Sequence, residues 1–467
     1  MSETNPQFLE RRKIMTVRKD AMEVARSIRA SLSSNQREEL RAILTQYHPA
    51  DLADAMLFLS EQEDAEVFKA TDIAEAAEVL DEVDATTEAR LVKMTSHDRL
   101  ADILEELPPD EGADVLGTLS KEKAEQILAL TDKETAQNIR TLLAYPADTA
   151  GGIMSLGYVD VLDTATQEQA LARFREKKDA EHLFFVYVVD AQGSLCGAVD
   201  LRSLLTASPN TSMRDLIIEN VVTVTPDCDQ ELVASVFARY DLTALPVVSP
   251  EPECKLLGVI TADDIIDVIQ EEANEDVAHM SGSDAEELEN KTPAQVAKLR
   301  LPWIMATMLI ELLAGFVIHY FDKTLTRYIL LASFMPIISA ISGNTGLQSA
   351  AIIIRGLSTG HVQLAHWRHA VIRQLTTTML LGGACAFVLG TIGAVWDHHL
   401  AFGLTVFLGM FLAVNIAGVV GTIVPLLSKR AGFDPALTAG PFETAFQDVV
   451  GISIFLSLAS VLLRWLR

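Results

Sequence analysis

The run GPFETAFQDVVGISIFLSLASVLL, residues 440–463, has the length and apolarity of a membrane-crossing helix, about 20 residues, yet carries Asp448 within it. A carboxylate at the centre of such a helix costs about 2.5 to 3.5 kcal/mol on insertion scales, so it must face a cavity, a partner or an ion. A second stretch, DDIIDVIQEEANEDVAHM, sets Asp264, Asp267, Glu271 and Glu275, with Glu272 and Asp276, at three- and four-residue intervals. On a helix those acids stack on adjacent stripes and repel one another. Hard carboxylate oxygens are neutralised best by Mg²⁺ or Ca²⁺. No Cys or His is interleaved with the acids, which argues against zinc or copper. The competing reading is a solvated acidic linker.

Five apolar stretches must position these groups: about 301–321, 328–354, 374–396, 400–428 and 444–463. The second contains FMPIISAISGNTGLQSAAIIIRG, in which Pro336, Gly343, Asn344, Gly346 and Gln348 interrupt the apolar run. Pro and Gly are expected to break that helix, with the freed backbone buried in protein or lining a wet cavity; small residues that allow close helix packing are the alternative. Asn415 lies in the fourth span, and GFDPALTAGPF follows it. Glu311 in the first span is open to three readings: lining a pore, pairing with an Arg, or bonding a neighbouring helix. Asp397-His398-His399 reads as a hydrated turn. With an odd number of spans the termini lie on opposite faces. Eight Lys and Arg (Lys291, Lys298, Arg300, Arg355, Arg368, Arg373, Lys429, Arg430) on one side against four (Lys323, Arg327, Arg464, Arg467) on the other place the N-terminal part in the cytoplasm and the C-terminus outside.

The 467-residue chain has a net charge of −27. From Lys291 onward there are 12 Lys and Arg against 6 Asp and Glu, leaving 25 against 58 before it. Such a field repels nucleic acid and attracts cations. Cys196, Cys228, Cys254 and Cys385 lie too far apart for a disulfide framework or zinc site. The start, MSETNPQFLERRKIM, has no apolar core of the kind a cleavable signal peptide needs.

LADAMLFL from Leu52, AAEVLDEV from Ala76, LADILEEL from Leu100 and AEQILALT from Ala124 recur every 24 residues. This period predicts a helical solenoid with two short helices per unit and acidic faces in water. A second repeat pairs VYVVDAQGSLCGAVDLRSLL (186–205) with LPVVSPEPECKLLGVITADDIIDVI (245–269), each a strand, a turn, a strand and a helix, with Gly197 and Gly258 in equivalent places. It resembles a tandem pair of cystathionine-beta-synthase (CBS) domains, which commonly sense adenine nucleotides. Thr261-Ala-Asp-Asp264 resembles the Thr-x-x-Asp element whose Asp holds ribose hydroxyls; Asp200-Leu-Arg-Ser203 departs from it, so at most one site is expected.

Taken in order, the acidic helical N domain, the CBS pair ending in EEANED, RLPW (300–303), MPIISAISGNTGLQ and FDPALTAGPFETAFQDVVG resemble the MgtE family of magnesium transporters over nearly the whole chain. The implied architecture is multidomain: an α-helical superhelical N-terminal domain, tandem α/β CBS domains and an all-α five-helix transmembrane domain. The expected bounds are a tail at 1–30, the N domain at 31–147, CBS copies at 148–208 and 209–268, an acidic connecting helix at 269–298 and the membrane domain at 299–467. The resemblance implies a non-enzymatic, homodimeric Mg²⁺ channel of the plasma (inner) membrane, embedded in lipid and closed by high cytosolic Mg²⁺. Asp448 would be the pore aspartate, with Asn344, Asn415 and Gly440 completing the pore ligands. Asp434 would stand at the pore mouth. The sensor would be built from Asp110, Asp114, Asp229, Glu231, Asp241, Asp264, Asp267, Glu272, Glu275 and Asp276, and an adenine nucleotide such as ATP would use Thr261 and Asp264. No Gly-rich GxxxxGK[ST] loop is present, and none is needed: a divalent ion gains about 4.6 kcal/mol per 100 mV of inside-negative potential. The alternatives are a membrane-anchored nucleotide-sensing regulator, a broader Co²⁺ or Mn²⁺ carrier, and an intramembrane hydrolase that would need a second acid at the depth of Asp448.

Overall fold

A computed structural model describes residues 21–34, 37–177, 184–218, 220–283 and 292–465. The chain forms two compact units, Met1–Ile266 and Asp267–Arg467.

In the first unit the 24-residue period becomes paired short helices. After α1 (Ala21–Ser34) and α2 (Arg37–Leu44), the odd members are α3 (Pro49–Met56), α5 (Ile73–Glu82), α7 (His97–Leu104) and α9 (Lys121–Leu128). The even members are α4 (Glu61–Ala70), α6 (Ala85–Met94), α8 (Pro109–Gly117) and α10 (Lys133–Leu142). The repeating small and apolar columns are the buried ones: Leu52, Ala53, Ala55 and Met56 in α3 return as Ala76, Ala77, Val79 and Leu80 in α5 and as Leu100, Ala101, Ile103 and Leu104 in α7. Each odd helix stacks on the next odd one and each even helix on the next even one, so no helix this short needs to stand alone. Polar residues mark the starts: Ser60 and Glu63 form a reciprocal capping box on α4, and Asp72, Asp84 and Asp132 cap α5, α6 and α10. One boundary moves. The segment 1–30, expected as a tail, includes most of α1, whose Val24, Ala25 and Ile28 are buried and whose contacts are to α2, α3 and α4.

Each CBS copy is a small α/β unit. In the first, β1 (Asp160–Leu162) runs parallel to β2 (Phe185–Val189), which pairs antiparallel with β3 (Leu195–Asp200), flanked by α11 (Gln167–Glu176) and α12 (Leu201–Thr206). In the second, β4 (Ala244–Val248) pairs antiparallel with β5 (Leu256–Thr261), between α13 (Gln230–Tyr240) and α14 (Ala262–Met280). The copies share register: Val188 faces Gly197 and Val247 faces Gly258, with a register shift at the following residue in both.

The second unit holds five helices long and apolar enough to cross a membrane. They are α15 (Pro293–Tyr320), α17 (Leu331–Ser358), α18 (Trp367–Asp397), α19 (Leu400–Ala431) and α21 (Pro441–Trp465), with short helices α16 (Asp322–Arg327) and α20 (Pro435–Thr438) between them. Phe334, Phe402 and Phe455 anchor the core.

Two segments differ from what the sequence predicts. The connecting segment 269–298 is not one helix: α14 starts at Ala262 and ends at Met280, and α15 begins at Pro293 and runs on through the first span. Nor is the second span broken. α17 is continuous from Leu331 to Ser358 with Pro336 near its start, where few backbone partners are lost. Its glycines serve close approach instead: a Cβ on Gly421 of α19 would lie 2.3 Å from the Gly346 carbonyl oxygen.

Candidate metal sites

In the first unit, burial gathers carboxylates close to one another. Asp110, in the first turn of α8, is 8 % exposed and its Oδ1 has no hydrogen-bond partner. Ser155 bonds the same carboxyl, while Asp264 and Asp114 repel it; burial, first, and these charges push its pKa up to about 7. Glu88 of α6, with a buried and unpartnered Oε1, is likewise pushed up to about 7 by burial and then by Asp114 and Asp84. Burial, followed by Asp81, Asp110, Asp114 and Asp264, holds Glu111 well above the usual carboxylate range. The neighbours that push these three groups up are themselves acids: Asp81, Asp84, Asp110, Asp114 and Asp264. The contrast is Asp64, fully buried but with Arg90 at 2.9 Å, a structural ion pair.

Asp110, Asp114 and Asp264 therefore share one neighbourhood. Glu88, Glu111 and Asp81 were missed. Glu88 of α6 and Glu111 of α8 belong to successive units of the solenoid, and the stacking of α6 on α8 brings them near one another. Asp229 and Glu231 stand at the start of α13, where Asp229 accepts the Glu231 amide at 2.9 Å, and Asp241 stands at its end in the left-handed region, φ 50°. At 1.5 Å per residue, roughly 17 Å of helix separates them, too far for one ion within a chain. No group of three or more His, Cys, Asp or Glu side chains is assembled as a ready metal cage among the described residues.

Asp264 is also tied locally. Its Oδ2 accepts the Thr261 amide at 3.2 Å and hydroxyl at 2.7 Å, closing the first turn of α14. The first copy inverts the pair: Asp200 accepts the Ser203 amide at 2.9 Å and its hydroxyl at 2.6 Å. The same cap is built with the acid at opposite ends, which explains the departure from the Thr-x-x-Asp pattern.

In the second unit, Asp448 accepts a hydrogen bond from the Ser339 hydroxyl of α17 and lies within hydrogen-bonding reach of the Glu311 carboxyl of α15. Of the three readings of Glu311, bonding a neighbouring helix is the one its contact with Asp448 of α21 matches. Gly343 keeps the wall beside Asp448 thin: a Cβ there would be 3.9 Å from Oδ1. Asn344 and Gln348, one turn apart on α17, are exposed on the single chain. Asn415 is placed differently. It is buried, accepts from the Thr378 hydroxyl at 3.2 Å and donates to the Phe411 carbonyl at 2.7 Å, so its amide joins α18 to α19.

At one end of this bundle α14 is held down by three contacts. Ser358 donates to Asp276 at 3.2 Å. His279 bonds Asp434 at 2.8 Å and lies 3.6 Å from Glu275. Met280 packs on Ala350, Ile354, Ala436 and Ala439, and a Cβ on Gly440 would sit 2.8 Å from its carbonyl oxygen. Gly440 thus provides close approach for α14. Glu272 and Asp267 lie on the same helix, half-buried and exposed.

Residues 335–458 match the family model described as a divalent cation transporter, residues 47–148 the MgtE intracellular N domain, and residues 213–271 the CBS domain. The magnesium transporter MgtE of Thermus thermophilus is 37 % identical over 331 residues, 70 % of this chain and 72 % of that protein. The chain belongs to the MgtE family. The MgtE proteins of Enterococcus faecalis and Bacillus subtilis are 32 % and 33 % identical over 328 residues, again 70 % of this chain and 72 % of each relative. Among solved structures, the cytosolic domain of the Mg²⁺ channel MgtE in complex with ATP is similar at 37 % identity and a TM-score of 0.50, covering 52 % of this chain and 99 % of that one. The helical N domain, the CBS pair and the five apolar helices are thus arranged along the chain as in an MgtE protein.

Proposed function

We propose that this MgtE-family chain carries Mg²⁺ across a membrane, with Asp448 as the acid that receives the ion and Glu311 beside it. The observation that carries this reading is the pairing of the two carboxyls on different membrane helices, with a hydroxyl from a third. Acids brought together at that depth repel unless a cation or a proton lies between them. Mg²⁺ gives up its waters reluctantly, so it would be received largely hydrated, with oxygen groups of α17 such as Asn344 forming its outer contacts. Exposed Asn344 and Gln348 cannot face hydrocarbon without partners. A second copy of the chain, enclosing a wet path between two such faces, would satisfy them, with the N-terminal domains in the cytoplasm and the C-terminus outside.

Gating follows from the acid clusters. Mg²⁺ would bind among Asp110, Asp114 and Asp264, with Glu88 and Glu111 adding charge, and other ions would use Asp229, Glu231 and Asp241 together with a partner copy. On the connecting helix, Asp267, Glu272, Glu275 and Asp276 would be neutralised, keeping α14 on Asp434 and Gly440 and closing the path. The second CBS copy would take an adenine nucleotide at Thr261 and Asp264, supported by the relative's ATP complex.

The test is Mg²⁺ flux into vesicles containing the purified chain. Asp448→Asn should abolish uptake while leaving the protein folded; unimpaired flux in that variant, or no flux in the unaltered chain under an inside-negative potential, would overturn the reading.

A further inference from the structure

Glu443 and Gln447, one turn apart on α21, are 2 % and 0 % exposed, and neither takes part in the site at Asp448. Gln447 Nε2 donates to Glu443 Oε1 at 3.0 Å. The remaining two oxygens, Glu443 Oε2 and Gln447 Oε1, are buried and have no hydrogen-bond partner. Two buried acceptors without a donor cost several kcal/mol. A single hydrogen on Glu443 Oε2, donated to Gln447 Oε1, satisfies both and closes a ring of two hydrogen bonds between acid and amide.

Space decides what can supply that charge. A Cβ on Gly346 would lie 2.4 Å from Glu443 Oε1, so the helix backbone is packed directly on the carboxyl, and Gly421 packs on the far side of Gly346. Mg²⁺ requires about six oxygens at about 2.0 to 2.1 Å, which this wall leaves no room for. Gln447 is the polar side chain bonded to the Glu443 carboxyl. On the elements packed around it, α17 offers Arg355 and α19 offers Lys429 and Arg430, all on exposed positions. Asp434 at the start of α20 is bonded to His279, and Asp448 farther along α21 is bonded to Ser339 and in contact with Glu311 of α15.

We propose that Glu443 and Gln447 form a buried proton-binding site, in which the acid takes one proton from water and the acid–amide ring locks α21 against Gly346. Raising the pH removes that proton, leaves a bare carboxylate between α17 and α21, and loosens the helices that frame Asp448.

The test uses the full chain in lipid nanodiscs. The infrared difference between the unaltered protein and Glu443→Gln should show loss of a carboxylic-acid C=O band that shifts in D₂O, and Gln447→Leu should move that band by removing its acceptor. Thermal stability of the unaltered chain should fall as pH is raised, while Glu443→Gln, with an amide in place of the neutral acid, should fall less over the same interval, keeping only the part due to the N-domain acids, and should keep neutral-pH Mg²⁺ uptake within about twofold. Loss of a carboxylate band instead, or identical pH curves for the two proteins, would overturn the proposal. Should Glu443→Gln fail to fold, an acid band unmoved by Gln447→Leu would do the same.

Discussion

The carboxyls of Glu311 and Asp448, 137 positions apart in the chain, meet between α15 and α21, and Ser339 of α17 bonds the same aspartate. Three helices thus converge on one acid pair in a bundle with an apolar core. If the pair receives the ion, its two members should not be equivalent. Asp448→Asn should lower Mg²⁺ flux more than tenfold, while Glu311→Gln should lower it severalfold and narrow the preference for Mg²⁺ over monovalent ions, because halving the charge weakens binding of a divalent ion more. Flux with competing Na⁺ and K⁺ would check this; a Glu311→Gln protein with unaltered selectivity would remove Glu311 from the ion path.

The connecting helix should act as a latch. Ser358→Ala removes its 3.2 Å bond to Asp276, and His279→Ala removes the 2.8 Å bond to Asp434. A hydrogen bond contributes about 0.5 to 1.5 kcal/mol net, so each change should raise the cytosolic Mg²⁺ needed for half-closure by about two- to tenfold, and the double change by more. Current recordings at stepped Mg²⁺ on the cytosolic face measure that midpoint, and an unmoved midpoint in the double variant would exclude α14 as the gate.

Protonation of the N-domain acids has a definite sign. Asp110 and Glu88 are pushed up to about 7 in the folded chain, chiefly by burial, from the ordinary values of 3.8 and 4.5. The folded state therefore binds protons that the unfolded chain has released, and the associated stability is present below about pH 4 and lost as pH rises through 7. Without Mg²⁺, amide exchange in α6 and α8 should accelerate over that interval. Millimolar Mg²⁺ should reverse the change near pH 7 by binding the folded form. Glu88→Gln with Asp110→Asn should flatten the pH curve and abolish the Mg²⁺ effect.

Backbone contact between α17 and α19 sets a steric limit. A Cβ on Gly421 meets the Gly346 carbonyl oxygen at 2.3 Å, backbone against backbone, with no side chain able to swing away. Gly421→Ala should destabilise the membrane domain by about 1 to 3 kcal/mol, seen as a lower unfolding temperature in detergent. By contrast, Gly383→Ala, where a Cβ meets nothing within 4 Å, should leave it unchanged.

Short-range patterns were legible in the sequence because the forces behind them are short-range. A 24-residue period of small and apolar residues is enough to specify paired helices, since each unit repeats the same burial problem, and 20 or so apolar residues specify a span whatever surrounds them. The paired CBS strands and the acidic stripe of α14 were legible for the same reason, as was the intramembrane acid Asp448, whose isolation among apolar neighbours is itself the sign. Tertiary structure decided the rest. It kept α17 whole by using its glycines for contact, assigned Asn415 to a helix joint, brought Glu88 and Glu111 to Asp110, and set Glu311 beside Asp448. None of these follows from spacing along the chain, because a carboxylate's charge acts over a few ångströms of space and the fold alone determines which distant residues lie within that reach.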